Sequence, residues 1–480
     1  MSRLAEVGLF TEAVAFRPLH ARTEVIEATG TDPAIDWQLV VALRRKASEL
    51  ISAATSTAGQ PLTDVDRRLL GRSIIRGVVS DHVDAQSSSG QALWPVEVEY
   101  ALAQAVENAI FGYGRLQPLF EIGEAENIEI HGCDSVVVQF GDGHRESRPP
   151  VADSDTELVE AIRFLGESAS PARPFDDTHP MLTLALGDRF RLHAIGFGLS
   201  YRPSVIIRQH TLTDVTLDEL ATGGMMPDDV AGFLTRVVLA RKSLVISGDQ
   251  GAGKTTLLRA LIAAIPDNER FGTLETDYEL LTHLRPGRRN MLALQSRVGM
   301  GEVVGGRRVG EFTVADLIPE ALRQNLSRLI VGEVRGGEAG ALFEALSTGA
   351  GTLATTHSHS AASTIDRLAS RVAQGGVLTI EEAYRQIAHH IHLLVHVQLV
   401  DDTWRGGLRT RRVAEIRQLT GGMEAGRPVT HLAYRSEPGG HYDFHPDADL
   451  LAELAAYADV PDRNAWPGQN RAPESDGRWP

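Results

Sequence analysis

The side chains best equipped for chemistry begin in the stretch Ser243 to Leu258, SLVISGDQGAGKTTLL. Leu244 to Ser247 are mostly apolar and favour a strand, and they run directly into Gly248-Asp249-Gln250-Gly251-Ala252-Gly253-Lys254-Thr255. This is the G-x-x-x-x-G-K-[ST] spacing, with a buried strand before it and a helical pattern, Thr256 to Ile265, after it. Glycines let the backbone curl until successive N–H groups point at phosphate oxygens, and the helix that follows adds the positive end of its dipole. The spacing therefore predicts a phosphate cradle that includes Gly248, Gly251, Ala252, Gly253 and Thr256. Lys254 is placed to reach the β- and γ-phosphates of a nucleotide such as ATP, and the Thr255 hydroxyl to coordinate Mg²⁺. Lysine occurs only at Lys46, Lys242 and Lys254, so its presence here is not compositional background.

A cradle alone does not hydrolyse a nucleotide. Hydrolysis needs a carboxylate to orient water, a magnesium site and positive charge to balance the transition state. Three downstream stretches offer such groups. Leu274-Glu275-Thr276-Asp277-Tyr278-Glu279 reads as a strand end opening into an acidic loop. Carboxylates at the carboxyl end of a parallel strand beside the P-loop strand face the nucleotide crevice. Arg328 to Arg335, RLIVGEVR, is an apolar strand ending in an acid, which sets Glu333 across from Thr255 and the metal. Gly351 to Ser360, GTLATTHSHS, is a strand ending in polar residues that include His357 and His359. That histidine pair does not read as a zinc site, because no further cysteine or acid stands at metal spacing nearby.

To bring these groups together, the chain after the P-loop must alternate strands and helices around a parallel sheet covered on both faces. Candidate strands are Phe271 to Glu275, Met291 to Leu294, Leu329 to Val331 and Thr352 to Thr355. Ile391 to Val400 and Arg412 to Leu419 read as a pair joined across Trp404-Arg405-Gly406-Gly407. Asp228 to Lys242 is the helix that leads into the P-loop strand, and Thr211 to Gly224 is a polar linker. Upstream, Ile128 to Ile130, Val136 to Phe140, Arg189 to Ile195 and Val205 to Arg208 are strand-like, with one helix at Asp155 to Leu165. Asp36 to about Gly114 has helical period, interrupted by a Ser-rich loop at Ser80 to Gly90. The expected fold class is α/β. Its divisions are an arm at 1–35, a helical region at 36–114, an α/β domain at 115–208, a linker at 209–226, the P-loop domain at 227–445 and a mostly disordered tail at 446–480.

The chain has 480 residues and a net charge of −16, enough length for several cores and the wrong sign for binding nucleic acid over the whole surface. No run of eighteen apolar residues suggests a membrane span, and the first residues lack the pattern of a secretory signal. A single cysteine, Cys133, excludes an intrachain disulfide and fits a reducing cytosol.

The order and wording of the boxes are more specific than any one of them. GEVRGGEA followed by ALSTGAGTLATTHSHSA resembles the Walker B and His boxes of the type II/type IV secretion ATPase superfamily, closest to its CpaF/TadA branch, the Flp-pilus (tight adherence) motors. The acidic stretch at Glu275 then resembles that family's Asp box. GRLQPLF, IEIHG, THPM, DRFRLHAI and VIIRQ resemble the N-terminal domain of the same branch, so the likeness covers about 115 to 420. It implies a RecA-like P-loop ATPase domain preceded by a small α/β domain and a helical region. It also implies Glu279 as the hydrolytic glutamate with Glu275 in support, Glu333 as the Walker B acid on the metal, and His357 as the residue coupling the γ-phosphate to domain motion. Arg191 and Arg208 match N-terminal-domain arginines that approach the nucleotide when the domains close. Arg297, Arg323 and Arg335 match core arginines, with Arg335 beside the metal. Two departures stand out: Thr276 replaces an expected Asp, which leaves the division of labour between Glu275 and Glu279 open, and His357-Ser358-His359-Ser360 replaces His-Ala-Asn-Ser.

What the resemblance implies is a homohexameric, ATP- and Mg²⁺-dependent motor in the cytoplasm. It would sit peripherally at the membrane's inner face through an inner-membrane platform protein, with no direct contact to nucleic acid. The alternatives are a conjugative or type IV secretion ATPase, a RecA-like nucleic-acid motor, and a nucleotide-gated scaffold that does not hydrolyse.

Overall fold

A computed structural model describes residues 35–458, apart from 58–61, 91–93, 170–171, 286, 289, 300–301, 335–337, 348–350 and 438–439. The expected arm thus lies outside the described residues except at its last position, the tail from 459 onward lies outside them, and so does Arg335. The chain divides into two compact units, Met1–Gln117 and Pro118–Pro480.

The first unit holds three helices, α1 (Trp37–Thr57), α2 (Asp64–Ser88) and α3 (Val96–Phe111). Val40, Leu43 and Ala47 of α1 pack with Ile75, Val78 and Val79 of α2 and Leu102, Ala105 and Val106 of α3 in one small core. Helix α2 corrects the reading of Ser80 to Gly90 as a loop. The helix continues to Ser88 because the buried Val83 keeps the apolar stripe going, while Ser87 and Ser88 donate their hydroxyls to the carbonyls of Val83 and Asp84 one turn back. Serine that bonds to its own helix no longer competes with it.

A single turn, α4 (Gln117–Phe120), leads to the strands of the second unit. Strands β1 (Ala125–His131), β2 (Ser135–Phe140) and β3 (Arg145–Arg148) precede helix α5 (Asp155–Ser168), and β4 (Met181–Leu186), β5 (Phe190–Ile195) and β6 (Ser204–Gln209) follow it. They make a six-stranded sheet in the order β3-β2-β1-β6-β5-β4, antiparallel throughout. Alternate residues such as Ile128 and Ile130, Leu182 and Leu184, and Val205 and Ile207 are buried, as a sheet with one packed face requires.

The stretch read as a polar linker is not featureless. Helix α6 (Leu217–Thr222) opens with a capping box between Thr216 and Glu219, and Val215, Leu217 and Leu220 join the main core. Capping signals and three spaced apolar residues outweigh the polar composition. Helix α7 (Asp228–Leu239) then enters the second sheet.

That sheet is built from β7 (Leu244–Gly248), β8 (Phe271–Glu275), β9 (Met291–Gln295), β12 (Arg328–Val334), β13 (Leu353–His357), β14 (Leu393–Asp401), β15 (Arg409–Glu424), β16 (Arg427–Ser436) and β17 (Tyr442–Phe444). A small separate hairpin pairs β10 (Val303–Val304) with β11 (Arg307–Arg308). Helices α8 (Lys254–Ala263), α9 (Val314–Leu322), α10 (Glu338–Ser347), α11 (Ala361–Gln374) and α12 (Ile380–His390) join the strands, and α13 (Ala448–Leu454) closes the described chain with a 3-10 turn, Ala455–Tyr457. The order is β17-β16-β15-β14-β7-β13-β12-β8-β9. Strands β14 through β9 in that order run parallel, and β15, β16 and β17 extend the sheet antiparallel. Every residue of β7 and β8 is buried, as expected of central strands covered on both faces. The fold is a mixed α/β architecture: a RecA-like P-loop sheet with a smaller antiparallel sheet before it.

Candidate functional site

Parallel strands with matched registers bring their carboxyl ends to one edge, where ligands bind in open α/β sheets. Here β13 pairs with β7 so that His357 stands opposite Gly248, and β12 pairs with β8 so that Val331 stands opposite Leu274. The edge therefore carries the P-loop after β7, His357 at the end of β13, Glu333 near the end of β12 and Glu275 at the end of β8.

The P-loop backbone needs its glycines at two points. A Cβ on Gly248 would lie 2.2 Å from the Val397 carbonyl of the neighbouring strand, and Gly253 caps α8 with φ 93°, a conformation that favours glycine. Lys254, 7% exposed, donates its ammonium to the carbonyls of Gly248 (3.0 Å) and Asp249 (2.9 Å), with His357 Nδ1 at 3.3 Å. An ammonium has no lone pair, so Nδ1 accepts. The other ring nitrogen, Nε2, lies 2.8 Å from Glu333 Oε1. His357 thus bridges the P-loop lysine and the Glu333 carboxylate across two strands.

Glu275 and Glu279 occupy different environments. Glu275 is 3% exposed, and its Oε1 accepts the amides of Glu279 (3.0 Å) and Leu280 (2.7 Å). Its buried Oε2 has no hydrogen-bond partner. Burial outweighs the two amide bonds and the nearby Arg259, and pushes its carboxyl up to about 7. Glu279 is held from the small sheet: Arg191 on β5 forms ion pairs with Glu279 and with Asp277 (2.6 Å). Arg191 therefore meets the acidic loop itself. Arg208, opposite Arg191 in the β5–β6 register, lines a cavity of about 720 Å³ together with Lys254, Thr255, Glu279, Glu333 and His357. Of the other arginines noted in the sequence, Arg297 donates to the Gly310 carbonyl and Arg323 pairs with Glu320. Neither lines this cavity.

Thr255, Glu275 and Glu333 line one smaller recess. Among the described residues no group of three or more His, Cys, Asp or Glu side chains is set to hold a metal by itself. A hydroxyl and a carboxylate beside substrate phosphates are nonetheless how magnesium is usually held. The residues fit a magnesium ion.

Several contributors were not singled out in the sequence. Arg259 is buried in α8 and donates to the Glu279 carbonyl (3.1 Å) and the Leu212 carbonyl (2.8 Å), which fixes the acidic loop from below. A lone arginine inside the apolar run LLRALIAAI was its signal. His210, buried beside Arg259, Arg208 and Arg191, is driven down to about 3 by burial first and those charges second, so it is neutral at physiological pH. Arg409 and Arg411 share one face of β15; Arg409 lines the cavity and Arg411 donates to the P-loop carbonyl of Gly251. Their i, i+2 spacing in RTRRV was legible as a strand face.

The Glu275 environment carries a pH signature. A carboxyl whose folded value, about 7, exceeds its unfolded value stabilises the fold only while protonated. That advantage is complete below about pH 4 and is lost as pH rises through 7. Thermal unfolding of wild type and Glu275→Gln across pH 4 to 8 is expected to converge at the acid end. The variant should gain on wild type toward pH 8, by on the order of 3 kcal/mol at most.

These elements define a RecA-like P-loop protein with a nucleotide-type crevice at the carboxyl edge of its parallel sheet. Residues 145–415, more than half the chain, match the type II/IV secretion system protein family, and the chain belongs to that family. A putative conjugal transfer protein of Mycobacterium tuberculosis is 32% identical over 369 residues, which cover 74% of this chain and 97% of the relative. The type IV secretion system protein VirB11 of Bartonella quintana is 29% identical over 181 residues, 37% of this chain and 48% of that protein. Among solved structures, the VirB11 ATPase of the Brucella suis type IV secretion system, in complex with sulphate, aligns at 23% identity with a TM-score of 0.34, covering 64% of this chain and 96% of that one. Among the described residues no helix is long and apolar enough to cross a membrane.

Proposed function

We propose that the chain is an ATP-hydrolysing motor subunit that works as a homohexameric ring and drives assembly of Flp-type pili through an inner-membrane platform protein. The observation that carries the catalytic part is the meeting of Lys254, Thr255, Glu333, His357 and Glu279 around one cavity faced by Arg208. The P-loop amides and Lys254 bind the β- and γ-phosphates of ATP, and Arg208 adds positive charge from the small sheet. Thr255 and Glu333 would hold magnesium, whose charge would neutralise the phosphate oxygens. Glu279 orients the attacking water once Arg191 yields its carboxylate. Glu275 keeps the acidic loop in place through two backbone amides, which supports a positioning role for it. His357 touches both Lys254 and Glu333, so a change at the γ-phosphate is felt at the metal acid through one side chain.

The wording of the boxes supports the CpaF/TadA branch. A second reading, conjugative transfer, draws support from the Mycobacterium tuberculosis relative described as a putative conjugal transfer protein. Light scattering of the full chain carrying Glu279→Gln, with Mg²⁺ and ATP, should give the mass of six protomers, and a monomer under those conditions would sink the ring. Replacement of the host gene by Lys254→Met should remove surface filaments and leave DNA transfer intact, whereas the reverse pattern selects conjugation.

A further inference from the structure

Glu126 sits on β1 where the strand carries one extra residue. Ala125 pairs with Phe140 and Asn127 with Gln139, so the register skips Glu126. A β-bulge re-aims a side chain, and bulges recur beside active sites. This one sends the Glu126 carboxylate onto β15 of the other sheet. Arg411 Nη2 donates to both of its oxygens at 2.6 and 2.8 Å, and Arg409 Nη1 donates at 2.9 Å. Arg411 Nε meanwhile donates to the P-loop carbonyl of Gly251 at 2.7 Å. The turn after β2 rests on the same hairpin, its Gly141 and Asp142 carbonyls accepting from the Arg411 side chain (3.2 Å) and the Arg409 amide (3.2 Å).

The consequence lies in the register of the small sheet. Asn127, next to Glu126, stands opposite Arg208 on β6, and Arg208 stands opposite Arg191 on β5. The bulge anchors one end of a row that ends in the two arginines facing the acidic loop and the cavity. A P-loop turns its N–H groups inward toward phosphate, so a carbonyl such as Gly251 can be braced from outside without competing for the ligand. Two guanidiniums share one carboxylate here, with Asp401 a further 3.5 Å from Arg409 Nε. In a partly buried setting such charge-assisted pairs are strong and geometrically specific.

We propose that Glu126 and Arg411 form a latch that stiffens the P-loop at Gly251 and registers Arg208 at the nucleotide cavity and Arg191 at its acidic loop. They are positioning residues for nucleotide binding rather than catalytic residues. This rests on the nucleotide reading above, and the test separates the two. In the full chain, Glu126→Gln and Arg411→Met are each expected to raise KM for ATP about tenfold with kcat within about twofold of wild type. The double variant should be no worse than the poorer single one, because each breaks the same unit. Backbone amide hydrogen exchange without nucleotide should accelerate at 249–256 and 125–131 in both variants. Unchanged KM and unchanged exchange, or effects that multiply in the double variant, would overturn the latch. If Arg411→Met fails to fold, Glu126→Gln, which leaves the Gly251 hydrogen bond in place, carries the same comparison. If wild type binds no ATP, the nucleotide reading falls, and the exchange measurement still decides whether the latch braces the P-loop.

Discussion

Lys254→Met is expected to lower kcat/KM for ATP hydrolysis by on the order of 10³-fold while leaving the melting temperature close to wild type. The substitution keeps an unbranched stem of similar length in a site where Lys254 is 7% exposed, so the packing of the α8 N-terminus survives. What disappears is the charge. In the structure that charge is held at the mouth of the P-loop by the Gly248 and Asp249 carbonyls and by His357. A nearly buried cation is costly to keep and gives little stability in return, which argues for a functional reason for its presence. Radioactive or fluorescent ATP hydrolysis, with thermal unfolding alongside, checks the prediction. A variant retaining more than a tenth of wild-type turnover would remove Lys254 from the phosphate site.

Glu279→Gln should show the complementary pattern, with kcat reduced about 10²- to 10³-fold and nucleotide affinity within about threefold of wild type. The two loop glutamates sit in different surroundings. Glu275 Oε1 is occupied by the Glu279 and Leu280 amides, and a glutamine there still accepts both, so Glu275→Gln is expected to cost only about tenfold. The Glu279 carboxylate instead lines the cavity and is held by Arg191 alone among its side-chain partners of opposite charge in the described residues, a contact that can be exchanged for water and phosphate. Equal losses from the two substitutions would mean that Glu275, with its unpartnered Oε2, shares the chemistry.

The parts of the site that follow from local chemistry are legible in the sequence. A Gly-rich turn between an apolar strand and a helix admits few structures, and acids or a histidine closing apolar runs, as at Glu275, Glu333 and His357, belong at the carboxyl edge of a parallel sheet. What escaped depends on long-range pairing. Arg191 lines the cavity, but its clasp of Asp277 and Glu279 has no mark in the sequence, because nothing in a strand of the small sheet announces which loop of another sheet it will face. Glu126 became visible only through a skipped register, and a bulge leaves no mark in composition. The Ser-rich end of α2 and the capped turn of α6 were missed for a different reason. Polar composition suggests loop, but serines bonding back one turn and a Thr216–Glu219 capping box support helix where a few buried apolar residues recur.

The central claim is that this edge of the sheet binds and hydrolyses Mg²⁺-ATP. Steady-state phosphate release by the full chain, followed across protein concentration beside Lys254→Met and Glu279→Gln, tests it most directly. Wild-type specific activity is expected to rise with concentration as subunits assemble, and both variants are expected to fall to the background. Release from wild type that never exceeds the Lys254→Met background, at any concentration, would contradict it.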